Sequence, residues 1–363
     1  MKLSLFWLSA SAVLLLAGCR TASSSLPCPE SPVGGGSQQH VAEPGKPVPV
    51  TEVRRTVYLN DEIFQKGMLE GISALIESGK KGTPGKLLRE QATSRQQCRM
   101  VLPTVPETPL SNETLYDRIC QSVLVLETVR PCPHNCPLKW HNAGGATAFV
   151  VSADGLAVTN FHVVDIKEDN YRLGGVTRAG QPFVVKEVLA ANADADVALV
   201  RLEGTDAAIR FVPLPLRPGV PTGTDITVIS HPRMAYYTMS RGIVSRRCLI
   251  SRPHSSPPSP PEAKPAVPPA KGGNPAPVPA AEKTPKAMPP PKFVETLTID
   301  ADYAKGSSGA PVCDLQGNVV GVVSSTSGIY YNETANAPRG GDLQMIIKQC
   351  VPIEKVLELI RKP

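Results

Sequence analysis

The turn Gly306-Ser307-Ser308-Gly309-Ala310-Pro311, just before an apolar strand at Val319 to Val323, constrains this chain more than any other segment. Gly306 can take backbone geometries that aim N–H groups into one small space, and its small neighbours let a carbonyl approach. A serine hydroxyl attacks a carbonyl only where a base takes its proton and backbone N–H groups receive the oxyanion. Alone, such a turn is common loop sequence. Two further segments change that. Thr147–Ser152, Asp154-Gly155 and Leu156–Thr159 read as strand, turn and strand, a hairpin that delivers His162 at its far end. Ala193-Asp194-Ala195-Asp196 then runs into the apolar strand Val197–Leu202. A carboxylate entering such a strand must find a partner, and an imidazole N–H suits it.

Each residue has a plainer reading. His162 alone reads as a histidine at a strand end. Asp194 competes with Asp196 on the same strand face, and Asp196 is preferred because the apolar run starts immediately after it. Ser307 competes with Ser308, and the G-x-S-G spacing selects Ser308. His231, before Pro232, reads as structural.

His162, Asp196 and Ser308 follow one another in the chymotrypsin order. The pattern resembles the trypsin-like serine proteases of the Deg/HtrA type, with their T-N-x-H-V, D-[IV]-A-[LV] and G-N-S-G-G motifs. Thr159–Val163, Asp196–Leu199 and Gly306–Ala310 match these in turn, and Asp225–Pro232 with Ser240–Ser245 resembles two further family segments. The likeness spans about Ser111 to Arg361. It implies an all-β fold: a chymotrypsin-like double β-barrel with a C-terminal helix, here preceded by a small, partly helical N-terminal region.

By that resemblance His162 is the general base, Asp196 its orienting partner and Ser308 the nucleophile. The N–H groups of Gly306 and Ser308 form the oxyanion hole. Protein or peptide substrates are implied, and more narrowly unfolded or damaged envelope proteins. Asp302, six residues before Ser308, or Tyr303 would line the substrate pocket. A carboxylate there would favour Lys or Arg, whereas the family usually takes small aliphatic side chains, and the aliphatic preference is favoured here. No cofactor and no metal is needed for this chemistry. An oligomer is compatible with the resemblance. The departures are Ser307 for Asn, Ala310 for Gly and Ser230 for Gly. The chain ends about fifty-five residues after Ser308, so no PDZ domain is expected. The runner-up is a catalytically silent binding protein that keeps the fold.

Met1-Lys2 and the apolar stretch Leu3 to Ala17 end in Leu16-Ala17-Gly18-Cys19, too short for a comfortable membrane span. This resembles a bacterial lipobox, implying residues 1–18 as signal peptide, lipidation on Cys19 and a bacterial envelope location. Arg20 in place of Asp points to a periplasm-facing outer membrane anchor. The formal net charge of +6 is spread out, and nothing resembles a nucleic-acid module, so no nucleic-acid partner is expected. Beyond Cys19 there are Cys28, Cys98, Cys120, Cys132, Cys136, Cys248, Cys313 and Cys350, an even number that fits disulfides in an oxidising compartment. Cys132 and Cys136 suit a local disulfide, which is preferred, or two ligands of a zinc site with His141.

Composition divides the rest. Residues 19–55 read as a flexible tether and 56–110 as an accessory, partly helical region. Apolar residues at three- and four-residue steps from Glu62 to Ile76 predict an amphipathic helix. Residues 111–363 form the expected protease domain, with Ser111 capping a helix before its first strand at Val123–Leu126. Within it, residues 252–291 are dominated by Pro, Ala and Lys, too poor in apolar side chains to pack, and read as a disordered spacer. Without that insert, Asp196 and Ser308 stand about seventy residues apart, a spacing that suits a compact double barrel.

Overall fold

The structure, a computed structural model, describes residues 58–134, 136–204, 211–252, 292–331 and 343–361. Cys19, the signal and tether segments and nearly all of the Pro-rich insert lie outside these residues. Among the described residues no helix is long and apolar enough to cross a membrane.

Helices α1 (Asp61–Glu77) and α2 (Gly85–Ser94) precede a two-residue strand β1 (Cys98–Arg99) and helix α3 (Asn112–Ser122). Strands β2 (Val123–Pro131), β3 (Trp140–Ser152) and β4 (Leu156–Thr159) follow, then a single turn α4 (Phe161–Val164). Strands β5 (Arg172–Val176), β6 (Pro182–Asn192) and β7 (Val197–Gly204) complete a closed barrel in the order β2-β3-β4-β7-β6-β5. The second barrel is built from β8 (Asp225–Ser230), β9 (Thr238–Arg252), β10 (Lys292–Ile299), β11 (Pro311–Cys313), β12 (Val319–Tyr330) and β13 (Leu343–Pro352). It closes in the order β10-β13-β12-β11-β8-β9. Helix α5 (Ile353–Leu357) and β14 (Ile360–Arg361) come last, and β14 pairs in parallel with β1. The fold is therefore mostly β and chymotrypsin-like, as the sequence implies.

Strand patterning explains why two barrels form and dock. In β2, Leu124 and Leu126 fill the first barrel with Phe183, Val185 and Val200, while Val123 and Val125 face a second cluster with Phe149 and Val158. Successive side chains point to opposite faces, so burying both faces demands a near-continuous apolar run. The second cluster draws Ile229, Val319 and Val322 from the other barrel, so it lies between the two. Ile226, Val228, Leu297 and Val312 fill the interior of the second barrel.

The Ser111 cap forms where the sequence places it, and a second cap stands before α1. The Ser111 side chain accepts from the Thr114 N–H, and Asn60 caps α1 by accepting from the Ile63 N–H at 3.0 Å. The C-terminal helix that the resemblance implies is short. It spans one turn because Ile360 and Arg361 leave it to pair with Cys98 and Arg99. Arg252, placed at the start of the insert by composition, instead closes β9 and pairs with Lys292.

Candidate active site

His162 lies on α4, immediately after β4, and not on the strand itself. Its Nδ1 stands 2.9 and 3.0 Å from the two carboxylate oxygens of Asp196, and its backbone N–H donates to Oδ1 at 3.1 Å. The Ser324 hydroxyl donates to the other oxygen, Oδ2, at 2.6 Å. Three donors thus converge on a buried carboxylate, which offsets its loss of water. Engaging Nδ1 leaves Nε2 as the free, basic nitrogen, on an imidazole that is half exposed.

Asp196 sits in the turn before β7, not within the strand as its apolar context suggested, and at φ 62° it occupies the left-handed region. That costs a non-glycine residue roughly 1–2 kcal/mol, and such strain gathers at functional sites. Asn160 holds the turn by donating from Nδ2 to the Asp196 carbonyl at 2.9 Å. Asp194 shares no strand face with it; its carboxylate is exposed and paired with Lys292.

The Ser308 turn comes from the other barrel. Thr147 on β3 donates its N–H to the Ser308 carbonyl and its hydroxyl to the Gly306 carbonyl, each at 2.8 Å. Gly309 packs so closely that a Cβ there would lie 2.1 Å from the Thr147 carbonyl oxygen and 2.5 Å from Thr159 Oγ1. The Ser308 hydroxyl is oriented loosely toward the Ser324 carbonyl at 3.5 Å. No hydrogen bond joins it to His162 among the described residues. Ser308 and Asp196 therefore meet at one residue, Ser324, which no motif in the sequence singles out. The change from apolar Val319–Val323 to polar Ser324-Ser325 was its only signal.

Ser307 is fully buried and donates to Ser230 Oγ at 2.9 Å, so it faces away from the cleft. The N–H groups of Ser307, Gly309 and Ala310 all bond backbone carbonyls, whereas those of Gly306 and Ser308 find no acceptor among the described residues. Gly306 has φ 100°, and a Cβ there would lie 2.4 Å from the His231 carbonyl oxygen. Arg233 N–H takes the Lys305 carbonyl at 2.7 Å. In a trans peptide this turns the Gly306 N–H to the opposite side.

A cleft of about 600 Å³ opens beside this turn, lined in part by Leu126, Glu127, Gly144, His231, Lys305 and Gly306. Burial pushes the Glu127 carboxyl up to about 8, against a smaller lowering by the Gly144 N–H, and Asn142 donates to it. Burial likewise holds His231 neutral, down to about 3. Its Nδ1 accepts from the Tyr237 N–H at 3.1 Å, which assigns the ring proton to Nε2. The accessory region reaches the same loop: the Phe64 ring of α1 packs at a tilt against Tyr236, centroids 4.8 Å apart, and Asp61 accepts from the Tyr236 N–H.

The two expected pocket residues point in different directions. Asp302 is 91% exposed and pairs with Lys348 at 2.5 Å, while the next residue, Tyr303, turns inward. The Tyr303 hydroxyl lies 2.8 Å from the Ser325 carbonyl and 2.9 Å from that of Gln349, bridging β12 and β13. The described cysteines are all free thiols.

Fold and site together define a trypsin-like peptidase domain, and residues 146–322 match the model of that family. Beyond that domain, the chain is similar to proteases of the HtrA type. It is 28% identical over 188 residues to the mitochondrial serine protease HTRA2 of Bos taurus, a match covering 51% of this chain. The match takes in only 32% of that relative's length. Among solved structures it is similar to the HtrA-type protease AlgW with a tripeptide, at 17% identity and a TM-score of 0.42, over 69% of this chain and 62% of that one. It is also similar to the active form of the Rv3671c protease from M. tuberculosis, at 20% identity and a TM-score of 0.44, over 73% and 92% of the two chains.

Proposed function

We propose that this chain is a serine endopeptidase. The observation that carries the reading is the junction at Ser324, which holds Asp196 through its hydroxyl and receives Ser308 at its carbonyl. His162 Nε2 takes the Ser308 proton as Oγ attacks the scissile carbonyl. Asp196 keeps the ring in the Nδ1–H tautomer and stabilises the imidazolium. The N–H groups of Gly306 and Ser308 receive the oxyanion. The same imidazole then protonates the leaving amine, and water hydrolyses the acyl-enzyme with His162 again as base.

The substrates proposed are unfolded or damaged proteins of a bacterial envelope, with the chain held by lipid on Cys19 at a periplasm-facing outer membrane. The competing reading is a silent binding protein, favoured by the rest position of the Ser308 hydroxyl, directed at the Ser324 carbonyl. A rotation about the Ser308 Cα–Cβ bond frees that hydroxyl, and such bonds often tighten only with substrate bound.

A fluorophosphonate probe separates the two. Covalent labelling of the purified full chain is expected, together with peptide hydrolysis. Ser308→Ala is expected to lose both, with a rate loss of roughly 10⁴-fold or more and an unchanged fold. An unlabelled native chain, or a Ser308→Ala variant that keeps most activity, sinks the proposal.

A further inference from the structure

The β2–β3 hairpin carries three side chains that the peptidase chemistry leaves unused: Cys132 and Cys136 in its loop and His141 on β3. Their sulfur and imidazole nitrogen atoms all lie within 4.8 Å of one another. The hairpin register explains the meeting. Arg130 pairs with His141 and Pro131 with Trp140, and the Cys132 N–H extends the ladder to the Lys139 carbonyl at 2.7 Å. Cys132 stands two residues beyond Arg130, on the same face, so His141 is its diagonal neighbour across the strands. The loop turns back at Cys136, whose N–H reaches the His134 carbonyl at 2.9 Å. The Cys136 thiol and the His141 ring both lie beside the Cys132 sulfur. The His134 backbone N–H points at the same sulfur from 3.3 Å. The thiolate is the form that binds metal.

We propose that Cys132, Cys136 and His141 form a zinc site, with two thiolates, one imidazole and a fourth position for water or an incoming ligand. Sulfur and nitrogen donors are those zinc prefers. With Zn–S distances of about 2.3 Å, tetrahedral donors sit about 3.7 Å apart, so the trio needs a contraction of about 1 Å at most. Two thiolates neutralise one Zn²⁺, which leaves the partly buried metal centre itself without net charge. Uptake balances without an oxidant or reductant: each thiol releases its proton to solvent, and His141 binds as neutral imidazole.

A Cys132–Cys136 disulfide is the competing use of these sulfurs. It needs an oxidant, brings the two atoms to about 2.05 Å and gives His141 no role. Three groups converge where a disulfide requires two. The bound ion would pin the hairpin corner beside α1, where Lys139 and Trp140 already bond Glu77 at 2.7 and 3.3 Å. The site is independent of the peptidase reading, and its readout is metal binding.

The test uses the full chain, reduced and stripped of metal, with Zn²⁺ and Co²⁺ as probes. One equivalent of Zn²⁺ is expected to bind. Co²⁺ is expected to give a thiolate-to-cobalt charge-transfer band and the intense visible absorption of a tetrahedral site. Cys132→Ser and His141→Ala are each expected to lose these signals. Absence of the charge-transfer band overturns the proposal. So does a band that survives in both variants, which places the metal on another thiol. Cys132 and Cys136 found bridged in protein isolated without reductant also overturns it. Should a variant fail to fold, X-ray absorption of the zinc-loaded native chain decides. Two sulfur neighbours and at least one imidazole support the site, and a shell without sulfur ends it.

Discussion

Ser230 and Ser307 both depart from the family pattern, and they meet in one buried hydrogen bond of 2.9 Å. Each substitution alone reads as a loss, of a glycine in one case and an asparagine in the other; the pair reads as an exchange, because one hydroxyl satisfies the other. Tyr303 is a second residue whose role the linear motif hides. Its hydroxyl reaches the Ser325 and Gln349 carbonyls, beside Ser324 on β12, so a substrate pocket at that place would be shallow. Native cleavage is expected mainly after Val, Ala or Ile, and Tyr303→Ala should shift it toward larger apolar residues in a peptide-library profile. A dominant preference for Lys or Arg that Asp302→Ala removes would show that the exposed carboxylate selects substrate after all. Glu127 gives a pH signature. Its folded value of about 8 lies above the ordinary 4.5, so between these values the unfolded chain releases a proton that the folded chain keeps. Its contribution is therefore fully present below about 4.5 and is lost as pH rises through about 8. Glu127→Gln retains an acceptor for Asn142 and removes the titration. Calorimetry is expected to find the variant melting roughly 5 °C or more above the native chain at the alkaline end, with no such gap in mild acid. Parallel melting curves across that range would mean that the carboxyl is not held neutral. His231 slopes the other way: held near 3 against an ordinary 6.5, it withdraws stability as pH falls through that interval.

Strands and turns were the legible elements. The Asp154-Gly155 hairpin, the Ser111 cap, the helix over 61–77 and the strands around Ser308 follow from period and turn chemistry, which are local. What escaped is what depends on distant partners. Asp196 looks like the first residue of a strand, yet the bonds from Asn160 and His162 draw it into a left-handed turn. Ser324 gains its role only when β12 passes behind Asp196. The pairing of β1 with β14 joins two dipeptides with no pattern of their own, and it shortens the final helix. The Pro-rich insert was legible by composition, and the register shows why the barrel tolerates it. Arg252 and Lys292 are direct partners at the open end of the β9–β10 hairpin, so the insert leaves and returns at one point. Replacing residues 253–291 with a four-residue turn is expected to keep labelling at Ser308 and to raise stability by about 1–2 kcal/mol, from cheaper loop closure. Thermal unfolding beside probe labelling checks both, and a lost label would make the insert part of the working site.

At the scale of the whole molecule, the chain joins a compact double barrel to an N-terminal segment proposed to anchor it. Cys19→Ala is expected to move the protein from the detergent phase to the aqueous phase after membrane fractionation. Each buried methylene of an acyl chain contributes about 0.8 kcal/mol, so losing all the chains leaves no comparable hold. A mature N-terminus found unmodified at another residue by mass spectrometry would remove the anchor from the account. The barrels themselves are tied through Thr147, which grips the carbonyls on both sides of Ser307 from across the interface. Neither barrel owns the working geometry. A slight separation of the two slackens the Ser308 turn while every strand ladder stays whole. Turnover is thus a finer gauge of docking than any spectroscopic measure of β-structure, and gentle denaturation should silence this protein while it still looks folded.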